Sequence, residues 1–480
     1  MYHSIIILID RLVHNRTNST NDVGGEPDLD ELIERHGGPA PRYVAYPSPS
    51  LWRDPPPSGE HVRRLRTVLK KAEPVALYVH VPFCQRLCHF CSCYTEIRRH
   101  LPAHGNDYVS HVKIELERLR VCAGKLPRIF SLHLGGGTPT FLSEKQLVDL
   151  LKAIRANAEF CPSAEFSLET NPELVTPSQL RLLWELGFSR ISLGVQDLNP
   201  NVQWAINRFH PYHKIKDIVT LCRDTGFDSV NFDLVYGLPK QTMTSFSRTV
   251  EKVLELGPDR VALYHFAYLP NKKPHQRILD KSAFPTPKEN IHIFQAATAL
   301  FESNGYESVG MDHFAKTDDP LALASRKHRL KRSFMGYEPN PVPNFLGVGP
   351  SAISFLDGAY LRNVPSLHAW RHAIDGGRFG QDLWRELTPE DYSRHNLIND
   401  LLCNLEIRNR SFARALGPQV QRIFPILEEF VSEGILRRNR KGWEVTKLGR
   451  TFVRAIAKTL DAYQIETPKK TQPLSSVNQA

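Results

Sequence analysis

The chain has 480 residues, of which 41% are apolar, with a net charge of +10 and a sequence pI near 9.1. This length predicts one large domain with one or two smaller ones, and it excludes a small fold that needs disulfides to hold its core together. The longest apolar run near the start, residues 5–9, is too short for a membrane span or a secretory peptide, so we expect a cytoplasmic protein without a membrane partner.

Two segments precede the first predicted strand. Residues 1–25 are expected to form a disordered extension, and residues 26–73 a covering segment. The string GGPAPRYVAYPSPSLWRDPPPSGE contains more proline and aromatic residues than a linker needs. We therefore expect it to lie over the domain that follows.

Four cysteines then fall within ten residues, in the string YVHVPFCQRLCHFCSCYTE. Cys84, Cys88, Cys91 and Cys93 have the spacing C-x3-C-x2-C-x-C and follow a predicted strand, VALYVHV. In a reducing compartment such clustering points to a metal rather than to disulfides. Three thiolates on a short loop can bind three corners of an iron–sulfur cube and leave the fourth iron open to a small molecule.

A zinc site or a group of unrelated buried thiols is the alternative interpretation of this string. No second C-x2-C pair and no suitably spaced histidine pair follows it, as a zinc ribbon would require. The remaining cysteines are scattered and are predicted to be small apolar core residues: Cys122, Cys161, Cys222 and Cys403.

Three consecutive glycines end the next predicted strand, in LHLGGGTPTFL. Glycine lets the backbone approach a ligand closely and leaves amide groups free to bind it. Alone, such a run indicates only a tight turn. Because it ends a strand in the domain that carries the cysteines, it favours a ligand-binding role.

The middle of the chain repeats a helix, a glycine and a β-rich run. Gly187, Gly226, Gly257 and Gly305 lie where each helix would end, and the runs that follow are typical of buried parallel strands. With the upstream strands, residues 74–315 predict six or seven β/α units, a partial (β/α)6-type barrel in an α/β domain of residues 74–364. Its site should lie at the carboxyl ends of the strands. KRSFMGYEPNPVPNFLGVGPSAIS is predicted to be a long loop that returns to the core.

After about residue 365 the pattern changes to helices, followed by a hairpin with its turn at Arg440-Lys441-Gly442. We predict a mostly helical, winged-helix-like domain over residues 365–466 and a disordered tail over residues 467–480. The net charge and the basic turn would suit nucleic acid, but no aromatic binding platform accompanies them. A solvated turn is the preferred interpretation, and nucleic-acid binding is not expected.

These strings resemble the radical S-adenosylmethionine superfamily, and the fourth cysteine is similar to the oxygen-independent coproporphyrinogen III oxidase family. The likeness runs from about Pro41 to Tyr463 and includes RYVAYP, YVHVPFC, GGGTPT, GVQDLN, NFDLVYGLPKQT, PDRVALYHFAYLP, GMDHFA and GVGPSAIS. The resemblance implies that Cys84, Cys88 and Cys91 hold a [4Fe–4S] cluster. It also implies that Cys93 is catalytic without holding iron.

The same resemblance implies two sets of contacts with S-adenosylmethionine. The molecule on the cluster would meet Tyr78, Phe90, Gly136, Gly137, Thr138, Glu169, Gln196, Arg208 and Asp233. A second molecule of S-adenosylmethionine would meet Val235, Ala267 and Ile353.

By this resemblance the chain is an oxidoreductase of heme biosynthesis. It would convert two propionates of coproporphyrinogen III to vinyl groups through a 5′-deoxyadenosyl radical, giving protoporphyrinogen IX. A monomer that receives electrons from a low-potential donor such as flavodoxin or ferredoxin is expected.

The chain departs from the family pattern in three places. The family's usual Arg-Tyr-Thr-Ser-Tyr-Pro has Val44-Ala45 in place of Thr-Ser in this chain. The family's Gly-Tyr-Thr-Thr ends here in Glu338-Pro339, and the family's Glu-Val-Asp-Pro reads Glu169-Thr170-Asn171-Pro172. These changes leave open a paralogue with another tetrapyrrole or another task, such as a methyltransferase or a heme-degrading enzyme. Non-enzymatic heme trafficking is a further alternative, which the presence of Cys93 disfavours.

Overall fold

The computed structural model describes residues 28–38 and 40–465. The expectations for residues 1–25 and 467–480 lie outside these ranges. The chain divides into two compact units, one built from the described residues up to Ser48 and from Pro389 onward, the other from Pro49–Thr388. The domain boundaries expected from the sequence, at residues 74 and 365, stay a prediction. Within the described ranges, every helix is too short or too polar to cross a bilayer.

The strands, in chain order, are β1 (Val75–Val81), β2 (Phe83–Cys84), β3 (Glu96–Ile97), β4 (Ile129–Gly136), β5 (Phe160–Thr170), β6 (Phe188–Gln196), β7 (Ser229–Tyr236), β8 (Arg260–His265), β9 (Tyr306–Val309), β10 (His313–Lys316), β11 (Lys331–Ser333), β12 (Gly336–Glu338), β13 (Phe345–Val348), β14 (Ile353–Leu356), β15 (Ala359–Asn363), β16 (Gln381–Glu386), β17 (Glu406–Arg408), β18 (Leu436–Asn439) and β19 (Gly442–Val445).

The helices are α1 (Leu29–His36), α2 (Glu60–Lys70), α3 (Pro102–Ala123), α4 (Glu144–Asn157), α5 (Pro177–Glu185), α6 (Pro200–Ala205), α7 (Tyr212–Thr225), α8 (Met243–Leu256), α9 (Pro287–Ser303), α10 (Pro320–Arg326), α11 (Leu367–Asp375), α12 (Pro389–Asn404), α13 (Asn409–Leu416), α14 (Val420–Ser432), α15 (Gly449–Leu460) and α16 (Ala462–Ile465). Short 3-10 turns lie at Pro49–Leu51, Pro139–Phe141, Pro274–Ile278, Lys281–Ala283 and Gly417–Gln419.

The larger unit contains one twelve-stranded sheet, in the order β16-β15-β14-β13-β1-β4-β5-β6-β7-β8-β10-β9. Strands β1, β4, β5, β6, β7 and β8 are parallel neighbours. The helices that follow them, α3, α4, α5, α7, α8 and α9, complete six β/α units. Because β16 and β9 are edge strands and do not pair with each other, the barrel is open. The predicted partial (β/α)6-type barrel is confirmed.

Local sequence explains this alternation. Every residue of β1 is buried, which is typical of a parallel strand covered on both faces. The predicted helix-ending glycines Gly187, Gly226, Gly257 and Gly305 have φ angles of 98°, 105°, 60° and 83°, a region that other residues enter at a cost. The parallel strands therefore end together at one edge, where the site was expected.

Two segments differ from the sequence expectation. The seventh β-rich run forms β9, which pairs antiparallel with β10 instead of joining the parallel set. The segment predicted as a long loop contains the hairpin β11–β12 and then β13, which pairs parallel with β1. β13 is a buried apolar run of four residues. By joining the sheet, it pairs its backbone hydrogen-bonding groups and buries its apolar side chains.

A buried carboxyl group fixes the turn that follows β13. Glu115, on α3, accepts hydrogen bonds from the Gly349 amide (2.9 Å) and from Asn363 Nδ2 (2.8 Å). Burial raises the pKa of Glu115 to about 7. A Cβ atom on Gly349 would lie 2.8 Å from the carbonyl oxygen of His80. The turn thus packs directly against the end of β1.

The other unit is mostly helical and includes a three-stranded antiparallel sheet in the order β17-β19-β18. Its β18–β19 hairpin turns at Arg440-Lys441, and Gly442 begins the returning strand. Arg437 donates to Glu444 (2.5 Å), and Arg438 lies 3.9 Å from the ring centroid of Trp443. Two of the basic residues near this turn therefore have partners within the hairpin.

Candidate active site

The cysteine loop, residues 82–95, leaves the carboxyl end of β1. The short parallel pair of β2 and β3 closes it, and the amide of Arg98 donates to the carbonyl of Cys84 (3.0 Å). Cys84, Cys88 and Cys91 are half-buried, whereas Cys93 is exposed. Three partly shielded thiols thus lie on one loop at the edge where the parallel strands end. Of the scattered cysteines, Cys222 and Cys403 are buried and Cys122 and Cys161 are half-buried.

Polar groups accompany the thiols. Thr138 Oγ1 lies 3.5 Å from Cys84 Sγ, and Arg208 Nη1 donates to Cys88 Sγ (3.7 Å). Burial raises the pKa of Cys84 to about 11, whereas the hydrogen bond from Cys93 lowers the pKa of Cys91 to about 7. Metal ligation requires thiolates, so binding of a metal here would release protons.

The donor set fits an iron–sulfur cluster. Within residues 28–38 and 40–465, no three His, Cys, Asp or Glu side chains converge on one point as a single metal ion requires. A cubane cluster binds each thiolate through a different iron, so its ligands need not converge. Three thiols on one loop fit three corners of such a cluster and leave one iron for a small molecule.

Side chains from the turn Pro274–Ile278 and its flank hold the cysteine loop by its carbonyl groups. Lys273 Nζ donates to the carbonyl of Cys93 (2.9 Å) and His275 Nε2 to that of Cys91 (2.8 Å). The fully buried amide of Gln276 donates to the carbonyls of Phe90 (3.1 Å) and Ala267 (3.2 Å). The loop is therefore fixed by its backbone, which leaves the sulfurs free for ligation.

Gln276→Leu is expected to loosen the cluster without unfolding the barrel. The substitution removes the donor to two partly buried carbonyls, and changes of this kind around a metal site reduce metal affinity about 10–100-fold. We expect iron to be released to a chelator at least about tenfold faster than from the unmodified protein. Arg277→Gln, at the neighbouring exposed position, is the control, and equal release rates for the two variants would contradict the prediction.

The glycine run forms a turn pressed against the loop. The amide of Gly137 donates to the carbonyl of Val81, and that of Thr138 to the carbonyl of Phe83, each at 2.8 Å. Gly136 has a φ of 109°, and a Cβ atom there would lie 2.6 Å from the imidazole of His80. The Gly136 backbone thus lies so close to His80, at the base of the cysteine loop, that no side chain would fit between them.

Tyr78 and His80 lie on the same face of β1 and connect it to the loop. The Tyr78 hydroxyl is 2.9 Å from His80 Nδ1, and His80 Nε2 is 3.0 Å from the carbonyl oxygen of Tyr94. Because a carbonyl only accepts, Nε2 carries the proton and Nδ1 accepts from Tyr78. Burial lowers the pKa of His80 to about 4, which keeps the ring neutral and this chain of bonds intact.

Two carboxylates lie toward the carboxyl ends of β5 and β7, the two strands that flank β6 in the sheet. Glu169 receives hydrogen bonds from His133 Nε2 and from the Gly136 amide, both at 3.3 Å. Burial raises the pKa of Glu169, but the bond and charge of His133 outweigh it, so the net shift is downward. Asp233 accepts from Ser192 (2.9 Å) and Asn231 (3.0 Å), and its pKa is raised to about 7, first by burial and then by the charge of Glu169.

Gln196 and Arg208 converge on the end of β6. Arg208 Nη2 donates to the carbonyl of Gly194 (2.5 Å). A Cβ atom on Gly194 would lie 2.7 Å from Arg208 Nη2 and 2.9 Å from Gln196 Nε2. Gln196 itself is buried and has a φ of 66°, at an irregularity in the pairing of β6 with β7. A cation and an amide are thus presented beside the thiol of Cys88.

The residues predicted for a second S-adenosylmethionine are arranged less closely. Val235 is buried in an apolar cluster against which Phe90 packs, and Gln276 links the carbonyls of Phe90 and Ala267. Ile353 lies instead on β14, beyond β13 in the sheet. A second molecule stays a prediction.

Several polar residues of the site were not expected from the sequence: His80, His133, Ser192, Asn231 and Gln276. His133 and Ser192 lie three and four residues before a predicted contact on their strands. His80 and Asn231 each lie two residues from a predicted contact on the same strand, and side chains alternate between the faces of a strand. That periodicity could have identified them. Gln276 lies in a short 3-10 turn, where no pattern indicates the direction of a side chain.

Two family models match the chain. The Radical SAM superfamily model matches residues 78–253, and the HemN C-terminal domain model matches residues 387–452. The first includes the cysteine loop, the glycine turn and both carboxylates, and the second lies in the mostly helical unit.

The relatives are similar over nearly their whole length. The chain is 35% identical to oxygen-independent coproporphyrinogen III oxidase of Synechocystis sp., over 93% of this chain and 97% of that protein. It is also 35% identical to the enzyme of Escherichia coli (strain K12), over 90% and 94%. The solved structure of coproporphyrinogen III oxidase (HemN) from Escherichia coli matches with a TM-score of 0.82 and 32% identity, covering 92% of this chain and all of that one. The chain therefore belongs to the oxygen-independent coproporphyrinogen III oxidase family of radical S-adenosylmethionine enzymes.

Proposed function

We propose that this protein oxidatively decarboxylates two propionates of coproporphyrinogen III to vinyl groups and so forms protoporphyrinogen IX. Each conversion transfers one hydrogen atom from the propionate β-carbon to a 5′-deoxyadenosyl radical, releases the carboxylate as carbon dioxide, and passes the one remaining electron of the substrate radical to an external one-electron acceptor. The observation that carries the proposal is the joint presence of the cysteine loop and the glycine turn in a chain similar to these oxidases along 93% of its length.

The family's cofactors are a [4Fe–4S] cluster and S-adenosylmethionine, which together supply reductive cleavage to methionine and a 5′-deoxyadenosyl radical. In our proposal Cys84, Cys88 and Cys91 hold the cluster, and Cys93 acts on the substrate side of the loop. The exposure of Cys93, against the partial burial of the other three thiols, supports this division.

The polar groups at the strand ends suit S-adenosylmethionine. Arg208 can pair with its carboxylate, and ionised Glu169 can bind its amine or ribose hydroxyls. Asp233, held by Ser192 and Asn231, supplies a second acceptor. Tyr78, Gly136 and the neighbouring glycine and threonine of the turn would contact the S-adenosylmethionine on the cluster. These roles are assigned from the geometry and the family pattern together.

The hairpin β11–β12 departs from the family pattern. A related tetrapyrrole is therefore the second candidate substrate, after coproporphyrinogen III. Glu338 accepts a hydrogen bond from Ser333 in this hairpin, and Arg190 is the cation that faces it. Burial raises the pKa of Glu338 to about 7, so near neutral pH the group is only partly ionised and repels a carboxylate substrate less than a fully ionised carboxylate would. We infer a cytoplasmic monomer supplied with electrons by a low-potential donor.

Product analysis tests the proposal. The protein is reconstituted with iron and sulfide without oxygen and incubated with dithionite, S-adenosylmethionine and coproporphyrinogen III. We expect two carbon dioxide molecules and one protoporphyrinogen IX per substrate consumed, with 5′-deoxyadenosine formed alongside. Formation of 5′-deoxyadenosine with neither carbon dioxide nor a vinyl product would identify a paralogue with another substrate.

A further inference from the structure

An aromatic pair, exposed Trp204 and half-buried Phe209, borders the cysteine loop on the side of α6. The indole of Trp204 is 71% exposed, and its ring lies 4.6 Å from that of Phe209. Arg86, in the loop, lies over the Phe209 ring at 5.3 Å. The amide of His89 donates to the carbonyl of Ile206 (2.9 Å), so this segment is attached directly to the loop. Exposed tryptophan and arginine together are typical of protein contact sites.

A second exposed patch borders the same loop on the side of the turn Pro274–Ile278. Ile278 is 67% exposed and Leu269 is 40% exposed. Lys272 and Arg277 are exposed beside them. Because Gln276 of this turn binds the loop, both patches lie next to the residues that carry the thiols. We name the surface formed by Arg86, Trp204, Lys272, Arg277 and Ile278 the loop face.

The charge of this surface is predominantly positive. The three segments that form it, residues 84–95, 199–209 and 266–279, contain no aspartate or glutamate, and their lysines and arginines are Arg86, Arg208, Lys272, Lys273 and Arg277. Arg208 and Lys273 donate to the cysteine loop itself, so the other three present their charge at the surface. Glu173, 3.7 Å from Arg86, offsets part of that charge.

We propose that the loop face is the docking site for an acidic, low-potential electron-carrier protein. Exposed apolar anchors among cations suit a transient partner with negative charge, since opposite charges steer the encounter and the indole supplies contact area. The proposal rests on the proposed function, which takes one electron from outside the chain for each S-adenosylmethionine cleaved. The carrier is oxidised by one electron and the cluster is reduced by one, with no transfer of atoms.

The test compares two electron sources in the same variants. The electrons come either from a purified bacterial flavodoxin with its reductase or from dithionite, and 5′-deoxyadenosine formation is measured. The variants are Trp204→Ala and the double variant Lys272→Glu/Arg277→Glu. At low salt we expect the KM for flavodoxin to rise about tenfold in the double variant. With dithionite, the rates of the variants should stay within about twofold of the rate of the unmodified protein, because the charges lie outside the catalytic contacts. Lys113→Glu, at a side chain 60% exposed on α3, is the control.

Direct binding of oxidised flavodoxin, measured by calorimetry on the same proteins, separates the two proposals. Absence of the vinyl product with dithionite would overturn the proposed function. The binding of flavodoxin would still test the loop face in that case. Equal affinity for flavodoxin in the double variant and in the Lys113→Glu control would overturn the docking proposal. So would tight binding of single-stranded RNA that the double variant abolishes, since the loop face would then be a nucleic-acid site.

Discussion

Replacing Cys88 by alanine is expected to abolish both iron binding and cleavage of S-adenosylmethionine. The reconstituted protein should hold about four irons per chain, and the variant close to none, because two thiolates do not retain a cube built for three. Loss of groups that merely surround a metal ligand already costs about 10–100-fold in affinity, so loss of a ligand should exceed that range. Iron content, visible absorbance and 5′-deoxyadenosine yield measure the effect.

Two further cysteine variants sharpen this prediction. Cys122→Ala removes a half-buried thiol on α3 and should retain full iron and activity. Cys93→Ala should retain iron and yet lose the vinyl product, since the proposal gives Cys93 a role in catalysis without ligation. If the Cys88→Ala protein still forms 5′-deoxyadenosine, the assignment of the three cluster ligands is wrong.

The barrel could be predicted because its signals are local. Most strands of the parallel set are short apolar runs, and each helix before β6, β7 and β8 ends at a glycine that takes a positive φ. The cysteine spacing and the position of Gly136 at the end of β4 are equally visible in the sequence. Such features depend on neighbouring residues in the chain, which is why sequence alone identifies them.

The supports of the site could not be predicted, because they join residues far apart in the chain. Gln276 contacts the carbonyl of Phe90, Glu115 contacts the amide of Gly349, and β13 joins β1 across most of the chain. No pattern of spacing indicates which distant backbone group a buried amide or carboxyl will meet. The short β11–β12 hairpin and β13 were likewise missed, since runs of three or four residues have no detectable periodicity.

Gly136→Ala is expected to damage the site although it adds only one methyl group. The alanine must hold a φ of 109°, which L-residues avoid at a cost of at least about 1–2 kcal/mol. Its Cβ atom would also lie 2.6 Å from the His80 ring, so either the turn or the imidazole must move. The His80 ring is hydrogen-bonded to the Tyr78 hydroxyl and to the carbonyl of Tyr94. Because Tyr94 belongs to the cysteine loop, a displaced His80 ring would also move that loop.

The expected loss is larger in catalysis than in stability. A shift of about 1 Å at a reacting site can reduce rate about 100-fold, so we expect at least that loss of 5′-deoxyadenosine formation. The melting temperature should fall by only a few degrees, since about 1–2 kcal/mol is spread over a large unit. Gly124→Ala is the matched control, because its φ is 90° and no heavy atom lies within 4 Å of the added Cβ. Equal rates in the two variants would contradict the prediction, because the contact of the added methyl group with His80 would then cause no extra loss.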